Sequence, residues 1–219
     1  MYGYHKRTNF THIIVICARY PIMRVSKTRD RLVDVARQLF ARDGIENTTM
    51  NDIAKASDKG RRTLYTYFKN KEDVYLAVVK SELDALLENL IAVSEKNISP
   101  DQKILEIIYA RLEAVKEVVY RNGTLRANFF RDIWKVEKVR KRFDRKEINL
   151  IKSILVEGVE EDIFHVDDIE MTASLIHYCL KGIEVPFIRG QIGADIEYNK
   201  RKKYIANIVF GALHKKQKF

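Results

Sequence analysis

Several residue types are scarce in this chain, and each scarcity excludes a class of protein. The 219 residues include only two cysteines, Cys17 and Cys179, so no disulfide framework is available and a reduced cytoplasm is the simplest setting. Three prolines and nine glycines punctuate the chain at few places. The five histidines form no HExxH motif and no i,i+4 pair, so the sequence predicts no metal site.

Long apolar runs and catalytic motifs are absent as well. The apolar run at residues 13–18 is far shorter than the ~20 residues that span a bilayer, and it lacks a convincing cleavage site. The sequence contains no GxGxxG, Walker or GxSxG motif. We therefore expect no enzyme activity, no cofactor, no catalytic residues and no membrane partner.

Residues 1–22 differ in pattern from everything that follows them. Helical patterning begins just after Met23. We expect Met23 to be the natural start, with residues 1–22 as upstream sequence read in frame. The alternative is a basic arm that contacts the DNA backbone. Residues 1–23 are accordingly predicted to be a disordered or non-native extension.

Positive charge is concentrated towards the beginning of the chain. The formal net charge is +10, and residues 24–80 carry 13 basic and 8 acidic side chains. Residues 81–219 are nearly neutral. A basic segment joined to a neutral body favours a polyanionic partner at one end.

Apolar residues recur with helical periodicity through the chain, which predicts an all-α fold. Leu32, Val35, Ala36, Leu39 and Phe40 follow the i, i+3, i+4, i+7, i+8 pattern of an amphipathic helix that ends at Asp43-Gly44. Further helices are predicted from Lys71 to about Lys96, from Asp101 to Asn122, over 168–189 and over 197–214. Another helix is predicted to continue from the basic segment at residues 135–146 through Ile148 to about Glu161.

The segment from Thr48 to Val74 has the spacing of a helix-turn-helix. Thr49 with Asp52 predicts a capping box that opens one short helix, and a turn over residues 57–60 separates it from a second. Leu64 and Phe68 point inward on that second helix, while Arg61 and Arg62 lie at its exposed start. A short helix with arginines at its N-terminal end suits the DNA major groove.

Over residues 27 to 75 the chain resembles the TetR family of bacterial transcriptional regulators. The ordered set of matching positions is Phe40, Gly44, Thr48-Thr49, Asp52-Ile53-Ala54, Thr63-Leu64-Tyr65, Tyr67-Phe68 and Lys71-Glu72. The resemblance implies a DNA-binding domain over residues 24–75, and a helical domain over residues 76–219 that binds an effector and forms a homodimer.

Three positions depart from the family's usual pattern. Asp58 stands where the family usually has a turn glycine, Lys59 where it has a small apolar residue and Gly60 where it has a capping serine. Aspartate tolerates positive φ and glycine is an acceptable N-cap, so we expect the turn to survive. The residues predicted to contact double-stranded DNA are Thr49, Asn51, Gly60, Arg61, Arg62, Thr63, Tyr65, Tyr67 and Lys71.

The second domain offers candidates for an effector pocket and a subunit interface. The candidate pocket residues are Tyr109, Leu112, Phe129, Phe130, Trp134, Ile176 and Cys179, and each of them is also compatible with an ordinary core position. Few of them ionise, so an apolar or amphipathic effector is favoured. The candidate seam between subunits consists of Ile176, Leu180, Ile205 and Val209.

A very basic segment at residues 135–146 contains acidic residues at helical spacings, which predicts a solvated helix face, with a second nucleic-acid surface as the alternative. The sequence thus predicts a dimeric repressor that reads a palindromic operator and is released by a small molecule. The alternatives are a constitutive or architectural DNA-binding protein without effector, and a helical interaction protein that does not bind DNA.

Overall fold

The protein is all-helical in the part that the structure describes. The structure is a computed structural model, and it describes residues 27–121, 133–188, 191–193 and 195–213. These residues form eight helices and no strand: α1 Lys27–Asp43, α2 Met50–Ala56, α3 Arg61–Tyr67, α4 Lys71–Ser94, α5 Pro100–Arg121, α6 Ile133–Glu160, α7 Ile169–Ile188 and α8 Tyr198–Leu213. No described helix is both long and apolar enough to cross a membrane. The predicted extension over residues 1–23 lies outside the described residues.

Local sequence signals set most of the helix ends. Gly44 takes a φ of 84° directly after α1, and Asn70 caps α4 by accepting a hydrogen bond from the Asp73 amide at 2.8 Å. Asp168 caps α7 in the same way by accepting from the Met171 amide at 2.9 Å. Pro186 lies in the last turn of α7, and the helix runs two residues beyond it.

The first hydrophobic core joins α1 to the helix-turn-helix. Phe40, Ile53 and Leu64 are completely buried in it, and Phe68 is nearly so. The helix α1 therefore packs across α2 and α3 in a three-helix core. This core also extends along α4 as far as Val79, beyond the boundary at residue 75 that was predicted for the first domain. That boundary remains a prediction.

The second hydrophobic core is formed by α4 to α8. Its completely buried members include Leu90, Ile108, Ile151 and Leu155. The helices α4 and α6 contribute to both cores. The beginning of α4 lies in the first core, and its later residues Leu87, Leu90 and Val93 lie in the second. The helix α6 places Val136 in the first core and Ile151 in the second. The two halves of the chain are thus connected by two continuous helices.

A buried ionic cluster lies among α5, α6 and α7. Arg111 donates from Nε to Glu184 Oε1 at 2.8 Å and from Nη1 to Glu147. The second partner of Glu147 is His177, whose Nδ1 lies 2.5 Å from Glu147 Oε2. Arg140 donates to the other oxygen of Glu184 at 3.1 Å. Arg111, Glu147 and His177 have no solvent exposure at all.

The buried charges of the cluster are held ionised by one another. Burial alone would lower the pKa of Arg111, but the carboxylates of Glu184 and Glu147 outweigh it and raise that pKa above its ordinary value. Burial alone would raise the pKa of Glu147, and here the attraction of Arg111 together with the His177 hydrogen bond lowers it instead. The cluster is therefore a network of paired charges.

We expect Glu147→Leu to lower the free energy of unfolding by about 3–5 kcal/mol at neutral pH, because it leaves a buried arginine short of a partner. Since the folded-state pKa of Glu147 is depressed, its contribution is present above the unfolded-state pKa of about 4.3 and is lost as pH falls through the folded-state value. Urea denaturation at neutral and acidic pH measures both effects.

The matched control is Asp84→Ala, which removes the exposed Lys80–Asp84 pair on α4. Its expected loss is below about 0.5 kcal/mol. Equal losses for Glu147→Leu and Asp84→Ala at neutral pH would show that burial adds nothing to the strength of the cluster.

Candidate functional site

The start of α2 is held by a reciprocal pair of hydrogen bonds. Thr49 Oγ1 accepts from the Asp52 amide at 3.2 Å, and Asp52 accepts from the Thr49 amide at 2.9 Å. Hydrogen bonds from the Thr49 side chain and amide lower the pKa of Asp52. The predicted capping box is confirmed, and it fixes Thr49 and the neighbouring Asn51 in exposed positions at the N-terminal end of the helix.

The turn between α2 and α3 survives its unusual sequence. Asp58 adopts a φ of 55°, so it takes the left-handed conformation for which the family usually has glycine. Ser57 is buried and donates from its hydroxyl to the Ala54 carbonyl at 2.9 Å. Gly60 caps α3 with a φ of −65° and no side-chain hydrogen bond, and a Cβ there would meet nothing within 4 Å. Glycine is thus not required at position 60 by backbone conformation.

The short helix α3 presents two arginines to solvent. Leu64 is completely buried and Phe68, just after the helix, is 3% exposed, so these two residues anchor α3 in the first core. Arg61 and Arg62 are exposed in the first turn, and neither guanidinium has a partner among the described residues. Their planar groups match the bidentate geometry of a guanine edge and also that of a phosphate.

The start of α4 holds the loop that precedes α2. Lys71 donates from Nζ to the Ile45 carbonyl at 2.6 Å and to the Glu46 carbonyl at 3.2 Å. This role of Lys71 in fixing the loop was not foreseen from the sequence. Its predicted contact with a DNA phosphate remains a prediction.

The nine predicted DNA-contact residues lie at the start of α2, in and just before α3, and at the start of α4. Most of them are exposed, Tyr65 at 46% and Tyr67 at 36%, whereas Thr63 and Lys71 are half-buried. The structure therefore brings the set together in one helix-turn-helix. Which of the nine contact DNA is still a prediction.

Residues 32–78 match the family model described as bacterial regulatory proteins, tetR family. This stretch contains the helix-turn-helix and the helix that packs behind it. Over these residues the chain is a member of the TetR family. It is therefore a DNA-binding transcriptional regulator.

The chain is also similar to a curated transcriptional repressor and to several solved structures. The chain is 28% identical over 154 residues to the transcriptional repressor KstR2 of Mycolicibacterium smegmatis, covering 68% of this chain and 73% of that one. A solved regulator from Cytophaga hutchinsonii superposes with a TM-score of 0.71 at 19% identity, over 87% of this chain and 100% of that one. FadR of Bacillus subtilis, solved in complex with stearoyl-CoA, superposes with a TM-score of 0.62 at 16% identity, over 84% of this chain and 99% of that one. The structural likeness shows a common fold.

The residues predicted to line an effector pocket in this TetR-family regulator have different environments. Leu112 and Ile176 are buried in the second core, and Tyr109 is half-buried with the Lys202 ammonium 4.9 Å from its ring centre. Cys179 is exposed, because α7 turns positions 176 and 180 inward and position 179 outward, and its place in an effector pocket stays a prediction. Phe129, Phe130 and the side chain of Trp134 lie outside the described residues.

The residues predicted for the subunit seam lie in the core of the subunit instead. Ile176, Leu180, Ile205 and Val209 are each at most 7% exposed and belong to the second core. The exposed apolar residues on the same two helices are Met171, Leu175 and Tyr178 on α7 and Tyr204 and Ile208 on α8. Both helices are apolar on two faces, and periodicity alone identified the inner one.

The buried ionic cluster was not predicted from the sequence. Glu137, Asp144 and Glu147 were read as part of a solvated helix face, yet Asp144 and Glu147 are buried and Glu137 is half-buried against Lys181. The only available signal was an ionisable residue at three apolar-face positions, namely Arg111, His177 and Glu184. These positions lie on α5 and α7, and the sequence does not reveal how those helices pack against α6.

We expect Arg62→Ala to weaken binding to operator DNA by about 1–3 kcal/mol and to weaken binding to random DNA much less, because a lost base contact removes discrimination. Fluorescence anisotropy with both duplexes measures the difference. Lys80→Ala, which removes an exposed cation that is paired on α4, serves as the control for charge alone. Equal losses on both duplexes would assign Arg62 to the phosphate backbone.

Proposed function

We propose that the chain is a repressor that binds a palindromic operator as a homodimer and is released by a small effector. The observation that carries the proposal is the pair of exposed, unpartnered arginines at the start of an α3 helix anchored in the first core. One α3 offers few base contacts. Two copies at a fixed spacing read two half-sites, and their binding free energies nearly add.

The dimer interface is proposed for the exposed apolar face of α7 and α8. Leu175, Tyr178 and Ile208 are 56%, 57% and 76% exposed in the single subunit. Monomeric proteins rarely leave a contiguous patch of large apolar side chains open to water. A two-fold axis lets the same face of a second copy cover it, which yields a four-helix interface.

The effector is proposed to bind among α5, α6 and α7. The predicted lining residues Leu112 and Ile176 adjoin Arg111 and His177 of the ionic cluster in sequence, so apolar and ionised groups occur close together there. This combination supports an amphipathic effector over a pure hydrocarbon. The FadR neighbour was solved with stearoyl-CoA, and a long-chain acyl thioester is therefore the first candidate.

Release follows from a difference in affinity between two arrangements of the dimer. An effector that prefers the arrangement in which the two α3 helices are misplaced shifts the population away from DNA. Weakening operator binding a hundredfold requires about 2.7 kcal/mol of such preference. The helices α4 and α6 are the proposed transmitters, since each of them contributes to both hydrophobic cores. The repressor would act in the cytoplasm, with its DNA.

Selection from a pool of random-sequence duplexes is expected to enrich an inverted repeat, because a two-fold dimer reads the same half-site twice. Stearoyl-CoA should then weaken binding to the selected duplex by at least about tenfold, which corresponds to about 1.4 kcal/mol of coupling. Enrichment of a single half-site would refute the dimeric mechanism. If the protein keeps its affinity for the selected duplex in the presence of acyl-CoA thioesters of every chain length tested, a constitutive DNA-binding protein is favoured instead.

We expect Ile208→Glu to shift the protein to monomer in sedimentation and to remove recognition of the inverted repeat without unfolding the chain, because Ile208 is 76% exposed in the subunit. The matched control is Ile205→Glu, which places a charge in the subunit core at a position 7% exposed and should destabilise the fold instead. A monomeric Ile208→Glu protein with undiminished affinity for the full repeat would contradict the dimeric mechanism.

A further inference from the structure

Between Val136 and Ile148, the outer face of α6 carries five basic side chains and no acidic one. Every exposed position in that segment is lysine or arginine. These residues form the basic stripe: Lys138, Lys141, Arg142, Arg145 and Lys146. None of them has a partner among the described residues.

The acidic residues of the same segment cannot neutralise the stripe. Asp144 and Glu147 are buried, and Glu137 accepts a hydrogen bond from Lys181 on α7 at 3.0 Å. A merely solvated helix face normally mixes both signs at i,i+4 spacing. Here the carboxylates pair inward and the unpaired cations point outward, so the stripe has an unopposed positive field.

The stripe also works against the stability of its own helix. Lys138 and Arg142, Lys141 and Arg145, and Arg142 and Lys146 are like-charge pairs at i,i+4. Each such pair destabilises a helix by about 0.2–0.5 kcal/mol. A polyanion bound along the stripe would neutralise these like-charge repulsions. Residues that destabilise their own helix in this way are expected at binding sites.

The composition of the stripe selects the kind of polyanion. A helix that lies on a lipid surface needs large apolar side chains beside its cations, and a protein interface needs an apolar or aromatic centre. Among the side chains of α6 that the structure describes, from Val136 onward, the exposed large apolar residues are Val156 and Val159, which begin about 15 Å beyond Lys146 at 1.5 Å per residue. Binding to the phosphates of a nucleic acid needs cations but no apolar side chains beside them, which is the composition of the stripe.

The position of the stripe adjoins the DNA-binding half of the chain. Its first residue comes two positions after Val136, which is buried in the first core with α1, α2 and α3. The stripe is about 12 Å long from Lys138 to Lys146. A duplex presents about seven phosphate charges over that length, at one per 1.7 Å of axis.

We propose that the basic stripe is a second DNA-contact surface, which binds the phosphate backbone of duplex lying outside the base-read operator. The contact is independent of sequence and extends the footprint of each subunit beyond the helix-turn-helix. This inference rests on the proposed function, since it takes the bound duplex as its partner.

The test compares three full-length proteins on random-sequence duplexes of about 20 and about 60 base pairs, the shorter one being close to the length of two half-sites. The neutral variant carries Lys141→Gln, Arg142→Gln, Arg145→Gln and Lys146→Gln, because glutamine has nearly the same helix propensity as lysine and arginine. The control exchanges the cations, as Lys141→Arg, Arg142→Lys, Arg145→Lys and Lys146→Arg. Fluorescence anisotropy at several KCl concentrations gives the affinity and its salt dependence.

On the longer duplex, the neutral variant should bind about tenfold or more weakly at low salt, and its plot of log K against log salt should be shallower by about two to three. The charge-exchanged control should match the original protein on both duplexes. On the shorter duplex all three proteins should agree. Thermal unfolding should show no loss of stability in the neutral variant, because helix repulsion has been removed.

Identical affinities and salt slopes for the neutral variant and the original protein on the longer duplex would overturn the proposal. An equal loss on both duplexes would also overturn it, because the stripe would then lie within the base-read footprint. Loss of binding to phosphatidylserine vesicles with DNA binding unchanged would assign the stripe to a membrane. If the four-site variant does not fold, Lys141→Gln with Arg145→Gln should still give about half the change in slope. Failure of the proposed function is distinct, since the original protein would then bind neither duplex.

Discussion

The shared packing of two helices in both hydrophobic cores is the constraint on which the rest of the molecule depends. The helix α4 is unbroken over 24 residues, with Val74 buried in the first core and Leu90 in the second. A rigid rod of that length spans about 36 Å. A displacement at its second-core end must therefore move its beginning, where Lys71 holds the carbonyls of the loop before α2. The orientation of the helix-turn-helix is in this way tied to the packing of the second core.

The ionic cluster constrains how the helices of the second core are oriented. Apolar residues of similar volume would often stabilise a core as well as a buried ion pair does. Arg111, Glu147 and Glu184 instead lie on three different helices, and their directional hydrogen bonds fix how α5, α6 and α7 are rotated against one another. Because α6 also carries Val136 in the first core, a change of pairing in the cluster must either strain α6 or move it. Such a network has discrete alternatives rather than a continuous range of positions, which is what a two-state regulator requires.

The sequence predicted the parts of the molecule whose determinants are local. The capping box at Thr49, the left-handed turn at Asp58 and the inward residues Leu64 and Phe68 depend on neighbours within a few positions, and all of them are confirmed. The subunit seam was misplaced because α7 and α8 are apolar on two faces, and periodicity does not say which face meets the subunit's own core. The environment of Glu147 was missed for a related reason. A carboxylate among cations at helical spacing has the same sequence pattern whether its partners are solvent or a buried arginine on another helix.

One helix thus accounts for two electrostatic features of opposite character. On its inner side α6 supplies Asp144 and Glu147, which compensate the cations Lys181 and Arg111 of the neighbouring helices. That inward compensation leaves no exposed carboxylate between Val136 and Ile148 to oppose the basic stripe. Salt limits the reach of such exposed charges to about 10 Å at 0.1 M ionic strength. Under the proposed function the stripe therefore acts only on a duplex that α3 has already brought to the subunit, and it adds affinity without adding discrimination between bases.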